Sequence, residues 1–291
     1  MTIISQKIVA ITGATGLIGS TLEQFLVKKG YSVKKLVRGF SKEDVEGADI
    51  VINLAGSSIN KRWGAAAKKE IYESRILTTR KLVNILNSPL EKKPELLISA
   101  SAIGIYPCTD GNNLSEKKVY YENSQERGDN FLATVCLDWE KEALKTNSDI
   151  RVIIARFGVV ITPDGGALPK ISLPFKLGIS GRIGKGNQPF SWISIHDLIR
   201  AIEFFIEHPE LKGVCNLTSE QAINNTQLTK ILSKKYRSLI KIAIPKWSFR
   251  LLYGKASILF TKGQRVFPGR LTENGFKFEH TSLYEAINTN R

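Results

Sequence analysis

Thr12-Gly13-Ala14-Thr15-Gly16-Leu17-Ile18-Gly19 constrains this chain more than any other stretch, because of what flanks it. Before it, Lys7-Ile8-Val9-Ala10-Ile11 is a β-branched apolar run that reads as a buried parallel strand. After it, Leu17, Leu22, Phe25 and Leu26 give Leu17 to Lys29 one apolar helical face. Glycines at Gly-x-x-Gly-x-x-Gly spacing between a strand and a helix meet the needs of a dinucleotide phosphate site. Gly13 allows the tight turn, Gly16 lets backbone N–H groups approach a pyrophosphate, and Gly19 lets the helix pack on the strand. Thr15 lies in the same turn, and Leu17 and Ile18 open a helix whose unpaired N–H groups and partial positive charge face the phosphates.

Beyond this unit, strand and helix patterns alternate. Tyr31 to Val37 and Ala48 to Leu54 read as strands, Ala65 to Leu86 as a long helix, and Leu96 to Ser99 as a further strand. Asn130 to Leu144 is a helix and Arg151 to Ala155 another strand. The expected fold is α/β, a Rossmann-type doubly wound parallel sheet. Only about a dozen residues separate Arg38 from Asp49, too few for a helix, a strand and their turns, so the usual third (edge) strand is expected to be missing. From Pro163 the texture becomes glycine-punctuated and loop-rich, before Ser191 to Glu207 resumes a strand-to-helix pattern and Val214 to Leu217 adds a strand. Thr226 to Lys235 is then a helix, Ile240 to Ile244 a strand, and helical segments follow. Two domains are expected: residues 1–163 with 191–218, and a smaller α/β cap lobe from 164–190 with 219–291.

Composition narrows the class. A chain of 291 residues buries roughly 75% of its unfolded surface and needs no metal or disulfide to be stable. Cys108, Cys136 and Cys215 are isolated from one another and match no metal-ligand spacing, as suits a reducing cytosol. The first strand starts within a few residues of Met1, leaving no room for a signal peptide, and no apolar run reaches the ~18 residues of a membrane span. A cytoplasmic protein without membrane contact is expected. Lysine and arginine total 42 against 27 acidic residues, a net charge of +15. The lysines are scattered as doublets such as Lys28-Lys29, Lys34-Lys35 and Lys117-Lys118, with no nucleic-acid module around them. They read as a solvated surface with a mild preference for anionic small-molecule substrates, not as a nucleic-acid interface.

The end of the second strand discriminates between NAD and NADP. NAD sites place a carboxylate there for the ribose 2′-hydroxyl. Here the residues are Lys34-Lys35-Leu36-Val37-Arg38-Gly39, and Arg38 is placed to bind a 2′-phosphate. NADP(H) is therefore the expected cofactor. Leu54-Ala55-Gly56 supplies small residues where backbone passes near it, and Ser99 at the next strand end joins this set.

At this point the sequence resembles a family over nearly its whole length, the extended or atypical short-chain dehydrogenase/reductases of the NAD-dependent epimerase/dehydratase type. Within it, the chain is similar to the "epimerase family protein" subgroup, also described as cell-division-inhibitor-like nucleoside-diphosphate-sugar epimerases. Thr12 to Gly19, Val51 to Gly56 with Arg62-Trp63, Ser74-Arg75, Ser99-Ala100-Ser101-Ala102 with Tyr106, Arg156 to Val160, Phe190 to Ile193 and Gly263 to Val266 carry the resemblance. It implies an NADP(H) site between two lobes, a cap over a nucleotide-linked or small carbonyl substrate, and a homodimer through Ala65–Leu86 and Asn130–Leu144.

Ordinary members of the larger family use a Ser-Tyr-Lys trio, with Tyr-x-x-x-Lys on one helical face. The sole Tyr-x-x-x-Lys here, Tyr31 to Lys35, lies in a strand. The corresponding helix carries Leu132 and Cys136 instead, and Ala102 takes the serine position. The expected acid–base candidates are then Ser101 and Tyr106, while Cys136 is read as inert core and His196 as a helix-start residue. Arg182, Gln188 and Trp192 are the expected substrate residues, and no metal is expected. Two readings stand: an NADP(H)-dependent oxidoreductase or epimerase with a non-standard active site, or a non-catalytic NADP(H)-binding sensor or scaffold.

Overall fold

The computed structural model describes residues 6–112, 118–163 and 165–288; Lys117, Asp164 and both chain ends lie outside them. Strand β1 (Ile8–Thr12) turns through the glycine loop into helix α1 (Leu17–Lys28). β2 (Ser32–Leu36), a single helical turn α2 (Lys42–Val45), β3 (Ile50–Asn53) and the long helix α3 (Ala65–Leu86) follow. β4 (Leu96–Ala102) runs three residues past Ser99 and into a 3-10 turn, Ile103–Ile105. β5 (Val119–Tyr120), α4 (Phe131–Ala143) and β6 (Arg151–Phe157) come next.

Six strands form one parallel sheet in the order β12-β6-β4-β3-β1-β2, where β12 is Gly213–Leu217. β2 is the last strand: α2, closed by a reciprocal Ser41–Asp44 capping box, fills the short span before β3. Alternation along the strands splits the core between two faces. Val9, Ile11, Ile50, Ile52 and Ile98 point to α1 and to α6 (Ile195–Glu207). Ala10, Val51 and Leu97 point to α3. Burial on both faces accounts for the unbroken apolar strands.

The remaining segments add short strands and helices outside this sheet. β7 (Val159–Thr162), β8 (Gly165–Gly166), α5 (Leu168–Lys176), β9 (Ile179–Ile183), β10 (Pro189–Phe190) and β11 (Trp192–Ser194) fall in and around the stretch expected to be loop. Most of these strands are too short to show a hydrophobic period. β13 (Ile223–Asn224), α7 (Asn225–Tyr236), β14 (Ile240–Ile244), α8 (Lys246–Tyr253), α9 (Ile258–Thr261), β15 (Arg265–Val266), α10 (Gly269–Glu273) and α11 (Leu283–Asn288) complete the order. β11, β7 and β8 pair in a small sheet, and β14 pairs in parallel with β9 alone.

Leu22 of α1 is fully buried between the sheet and α6. Leu22→Ala is expected to lower the unfolding free energy by about 2–5 kcal/mol in urea titrations followed by circular dichroism. A loss well below that range would contradict this packing.

Candidate dinucleotide site

The carboxyl ends of β1, β2 and β3 build the site. Gly13 has φ +69°, and a Cβ there would stand 2.8 Å from the Leu54 carbonyl oxygen, so the position admits glycine only. Gly19 serves packing: its Cβ would meet the Gly13 carbonyl oxygen at 2.3 Å. Helix α1 starts at Leu17 with no side-chain cap from Gly16 and no acidic residue in its first turn. Its first N–H groups face the loop without a side-chain acceptor, as an anion site requires. Leu17 and Ile18 turn their side chains away, Leu17 under Gly165 and Ile18 against the main core.

A buried hydrogen-bond chain fixes the floor. Thr12 Oγ1 donates to Asn53 Oδ1 at 2.7 Å and accepts from the Leu54 and Ala55 N–H groups at 3.1 and 3.2 Å. Asn53 Nδ2 donates to Thr79 Oγ1 at 2.7 Å and to Ser99 Oγ at 3.2 Å. Ser99 is fully buried. It orients Asn53 and does not reach the cleft, which corrects the expectation of a direct cofactor contact.

Above this floor lies a cleft of about 810 Å³, lined by Thr12 to Thr15, Lys35 to Phe40 and Ala55 to Ser57. Helix α3 supplies a wall that the sequence reading left unassigned: Glu70, Ser74, Leu77, Thr78 and Lys81. Their spacing of three, four and seven marks one helical face and was the available signal. Lys81 Nζ donates to the Gly39 carbonyl at 3.0 Å and stands 5.0 Å from the Phe40 ring centroid, holding the turn after Arg38. Arg38 makes no salt bridge among the described residues. Glu70 on the same wall is held below the usual carboxylate range, first by its hydrogen bond from Lys61 and in smaller part by Arg38. The glycine cradle, the uncapped helix start and Arg38 together fit an anionic dinucleotide.

Arg75 of α3 packs against the loop at Gly56. A Cβ on Gly56 would stand 2.9 Å from the Arg75 Cζ, so glycine is needed for the guanidinium to pack there. Arg75 Nη1 donates to the Ser57 and Ile71 carbonyls, both at 3.1 Å, and Cζ lies 5.3 Å from the Trp139 ring centroid. No carboxylate pairs with Arg75 among the described residues, and burial pushes its pKa down.

Leu132 and Cys136 of α4 lie against the turn that follows β4. A Cβ on Gly104, just after β4, would be 3.5 Å from Leu132 Cβ and 3.8 Å from Cys136 Sγ. Neither residue supplies an acid or base. Burial, with the Glu140 carboxylate adding, pushes the Cys136 thiol up to about 12. It stays protonated at neutral pH and is inert.

Ser101 and Tyr106 both face inward. Ser101 Oγ donates to Glu140 Oε1 at 2.6 Å. The same carboxylate takes two bonds from Arg156, Nε to Oε1 and Nη2 to Oε2, each 2.7 Å. Arg156 Nη1 then donates to the Tyr106 hydroxyl at 2.7 Å, which lies 2.9 Å from Asn216 Oδ1 and 3.0 Å from the Tyr121 carbonyl. Tyr106 is fully buried, stacks on Tyr120 with centroids 5.2 Å apart, and has its pKa raised mainly by burial. The structure thus places both expected proton donors in a closed network that joins β4, α4, β6 and β12.

The expected substrate residues separate. Trp192 is fully buried in an apolar cluster with Leu168 and Phe175, with Nε1 donating to the Gln221 carbonyl at 3.0 Å, so it packs and does not face a ligand. Arg182 is exposed on β9. Gln188 is buried, its Nε2 donating to the Ile183 and Phe260 carbonyls at 3.3 Å, while its Oε1 has no hydrogen-bond partner among the described residues. His196 lies in the first turn of α6, 2.6 Å from the Glu279 carboxylate and away from the cleft lining.

Residues 9–217 match the NAD dependent epimerase/dehydratase family, and residues 244–289 match a domain of unknown function, DUF1731. This chain belongs to the NAD dependent epimerase/dehydratase family. Among its relatives, the epimerase family protein SDR39U1 homolog of Arabidopsis thaliana, a chloroplastic protein, is 36% identical over 97% of this chain and 86% of its own length. Epimerase family protein YfhF of Bacillus subtilis is 33% identical over 96% of each. Human epimerase family protein SDR39U1, solved with NADPH, superposes with a TM-score of 0.88 at 27% identity, covering 96% of this chain and 97% of that one. The nucleoside-diphosphate sugar epimerase of Corynebacterium glutamicum superposes at 0.79 with 30% identity, over 97% of this chain and 57% of that one.

In this epimerase-family protein, removing one partner of the buried pair leaves a charge without compensation. Arg156→Met is expected to cost about 3–5 kcal/mol of stability in denaturant titrations, and a cost below about 1 kcal/mol would refute the network. The thiols of Cys136 and Cys215, both raised to about 12, are expected to resist a disulfide reagent at pH 8 in the native protein and to react on unfolding.

Proposed function

We propose that this protein binds NADP(H) in the cleft between the glycine loop and α3, and acts as an oxidoreductase or epimerase on a small or nucleotide-linked carbonyl compound without a Ser-Tyr-Lys trio. The observation that carries the cofactor reading is Arg38, a cleft-wall cation at the end of β2 with no carboxylate at that strand end and no salt bridge among the described residues. A guanidinium there takes a 2′-phosphate with two parallel hydrogen bonds. Bound NADP(H) supplies the hydride chemistry. The chain's own residues hold the pyrophosphate on the α1 amides, fix the 54–57 loop through Thr12 and Arg75, and exclude water with the cap.

The cap lobe of 164–190 and 219–291 is then the substrate-facing part, and the partnerless Oε1 of Gln188 is its acceptor for a substrate donor. Arg182 stands on the same lobe for an anionic group. One observation favours the second reading, a non-catalytic NADP(H) sensor or scaffold: Leu132 and Cys136 replace the dyad, and Ser101 and Tyr106 are already engaged.

Turnover decides between the readings. An enzyme oxidises NADPH in the presence of some member of a panel of aldehydes, ketones and nucleotide-linked ketosugars, whereas tight NADPH binding with no oxidation across the panel supports the sensor. Arg38→Ala is expected to weaken NADPH by about 10- to 100-fold and NADH hardly at all, as lost charged hydrogen bonds require. Arg75→Ala should instead weaken both cofactors alike, because it loosens a loop common to both. Equal losses for the two cofactors in Arg38→Ala, by fluorescence titration, would sink the 2′-phosphate assignment.

A further inference from the structure

The positive charge of this chain is not evenly spread. Between Glu220 and Glu273 no acidic residue occurs over 52 residues, while eleven lysines and arginines do, against a net charge of +15 for the whole protein. Reading the lysines as doublets hides this run. It contains β14 and α8, the two elements of the cap whose apolar side chains find least cover.

β14 pairs with β9 alone, and Ile240 and Ile242, which share a face by strand alternation, are both exposed. Leu239, just before them, is 86% exposed, and its N–H bonds the Gly178 carbonyl, which places it beside exposed Leu177. Helix α8 contains no buried residue. Trp247 and Leu251, one turn apart on one helical face, are 68% and 69% exposed. Soluble monomers seldom leave so many large apolar side chains together in water without an interaction to cover them. Among the cations interleaved with them, Lys246 pairs with Asp110 at 2.8 Å, whereas Lys241, Arg250 and Lys255 have no salt bridge among the described residues.

We propose that this face, β14 and α8 together, attaches the protein to the surface of an anionic lipid membrane. Trp247 and Leu251 enter the headgroup–acyl boundary, where an aromatic ring and an aliphatic chain are both well solvated. Arg250 and Lys255 remain at headgroup level against lipid phosphates. No helix among the described residues is long and apolar enough to cross a membrane, and surface attachment needs none. Charge argues against a second copy of this chain as the occupant, since two such faces repel. The aliphatic side chains argue against nucleic acid, whose phosphate backbone gives Ile240, Ile242 and Leu251 nothing to contact.

The test uses the full chain with vesicles of phosphatidylcholine alone and of phosphatidylcholine mixed with phosphatidylglycerol. Trp63, Trp139 and Trp192 are buried, so Trp247 is the tryptophan that reports a change of medium. The expected result is sedimentation with the anionic vesicles only, reversed by salt, with a blue-shifted emission that Trp247→Ser abolishes. Trp247→Ser/Leu251→Ser and Arg250→Glu/Lys255→Glu should each lower partitioning by about tenfold or more while NADPH affinity and circular dichroism stay unchanged. Absence of binding, equal binding to both vesicle types, or variants that bind like wild type would overturn the proposal. So would light scattering showing a dimer that Trp247→Ser dissolves, or duplex DNA binding that only Arg250→Glu/Lys255→Glu removes.

Discussion

The ligand side of this molecule depends on how closely β1 and β3 approach at their carboxyl ends. Gly13 passes so near the Leu54 carbonyl that no side chain fits between them. Thr12 then ties the two strands by giving one hydrogen bond to Asn53 and receiving two from the 54–55 backbone. Through Asn53 the same tie reaches Thr79 on α3 and Ser99 on β4. The cradle of the glycine loop, the 54–57 loop and the α3 wall are thus set by one buried polar chain whose members are mutually satisfied. A phosphate site of this kind is preformed by the sheet and requires little rearrangement on binding.

A second buried network engages both Ser101 and Tyr106. Burying Arg156 and Glu140 costs several kcal/mol per ion before pairing, and only the bidentate geometry with the added Ser101 and Tyr106 bonds offsets it. Once Ser101 and Tyr106 serve that purpose, their hydroxyls are not free to turn toward a substrate without exposing a buried charge. The same residues that give the chain its family likeness here hold β4 and β6 to α4 and β12.

The parts of the structure legible in the sequence are those governed by local rules. The glycine loop, the continuous apolar strands, the long helix α3 and the edge position of β2 follow from spacing, period and chain length. Arg38 was legible because a strand end fixes which residue emerges at the cleft. Side-chain direction was not. Ser99 and Ser101 lie two residues apart on β4, so both point the same way, into the sheet's helical face and not along the strand axis toward a ligand. Trp192 reads as a substrate residue, yet β11, an outer strand of its small sheet, turns the indole into a buried apolar cluster. The α3 wall needed knowledge that α3 lies beside the β2 turn, which no local pattern supplies.

Because β2 is the outermost strand, one line of backbone N–H and C=O groups on the sheet has no neighbouring strand. Such a row is a template on which another chain can add itself. Lys34 and Lys35 stand in the middle of β2, with Lys34 reaching the Glu46 carbonyl at 2.8 Å and Lys35 the Glu23 carboxylate at 2.8 Å. Two adjacent, tethered cations on so short a strand make it a poor surface for recruiting a further strand. The loss of the third strand is therefore matched by a guard against self-association written into the strand that replaced it at the rim.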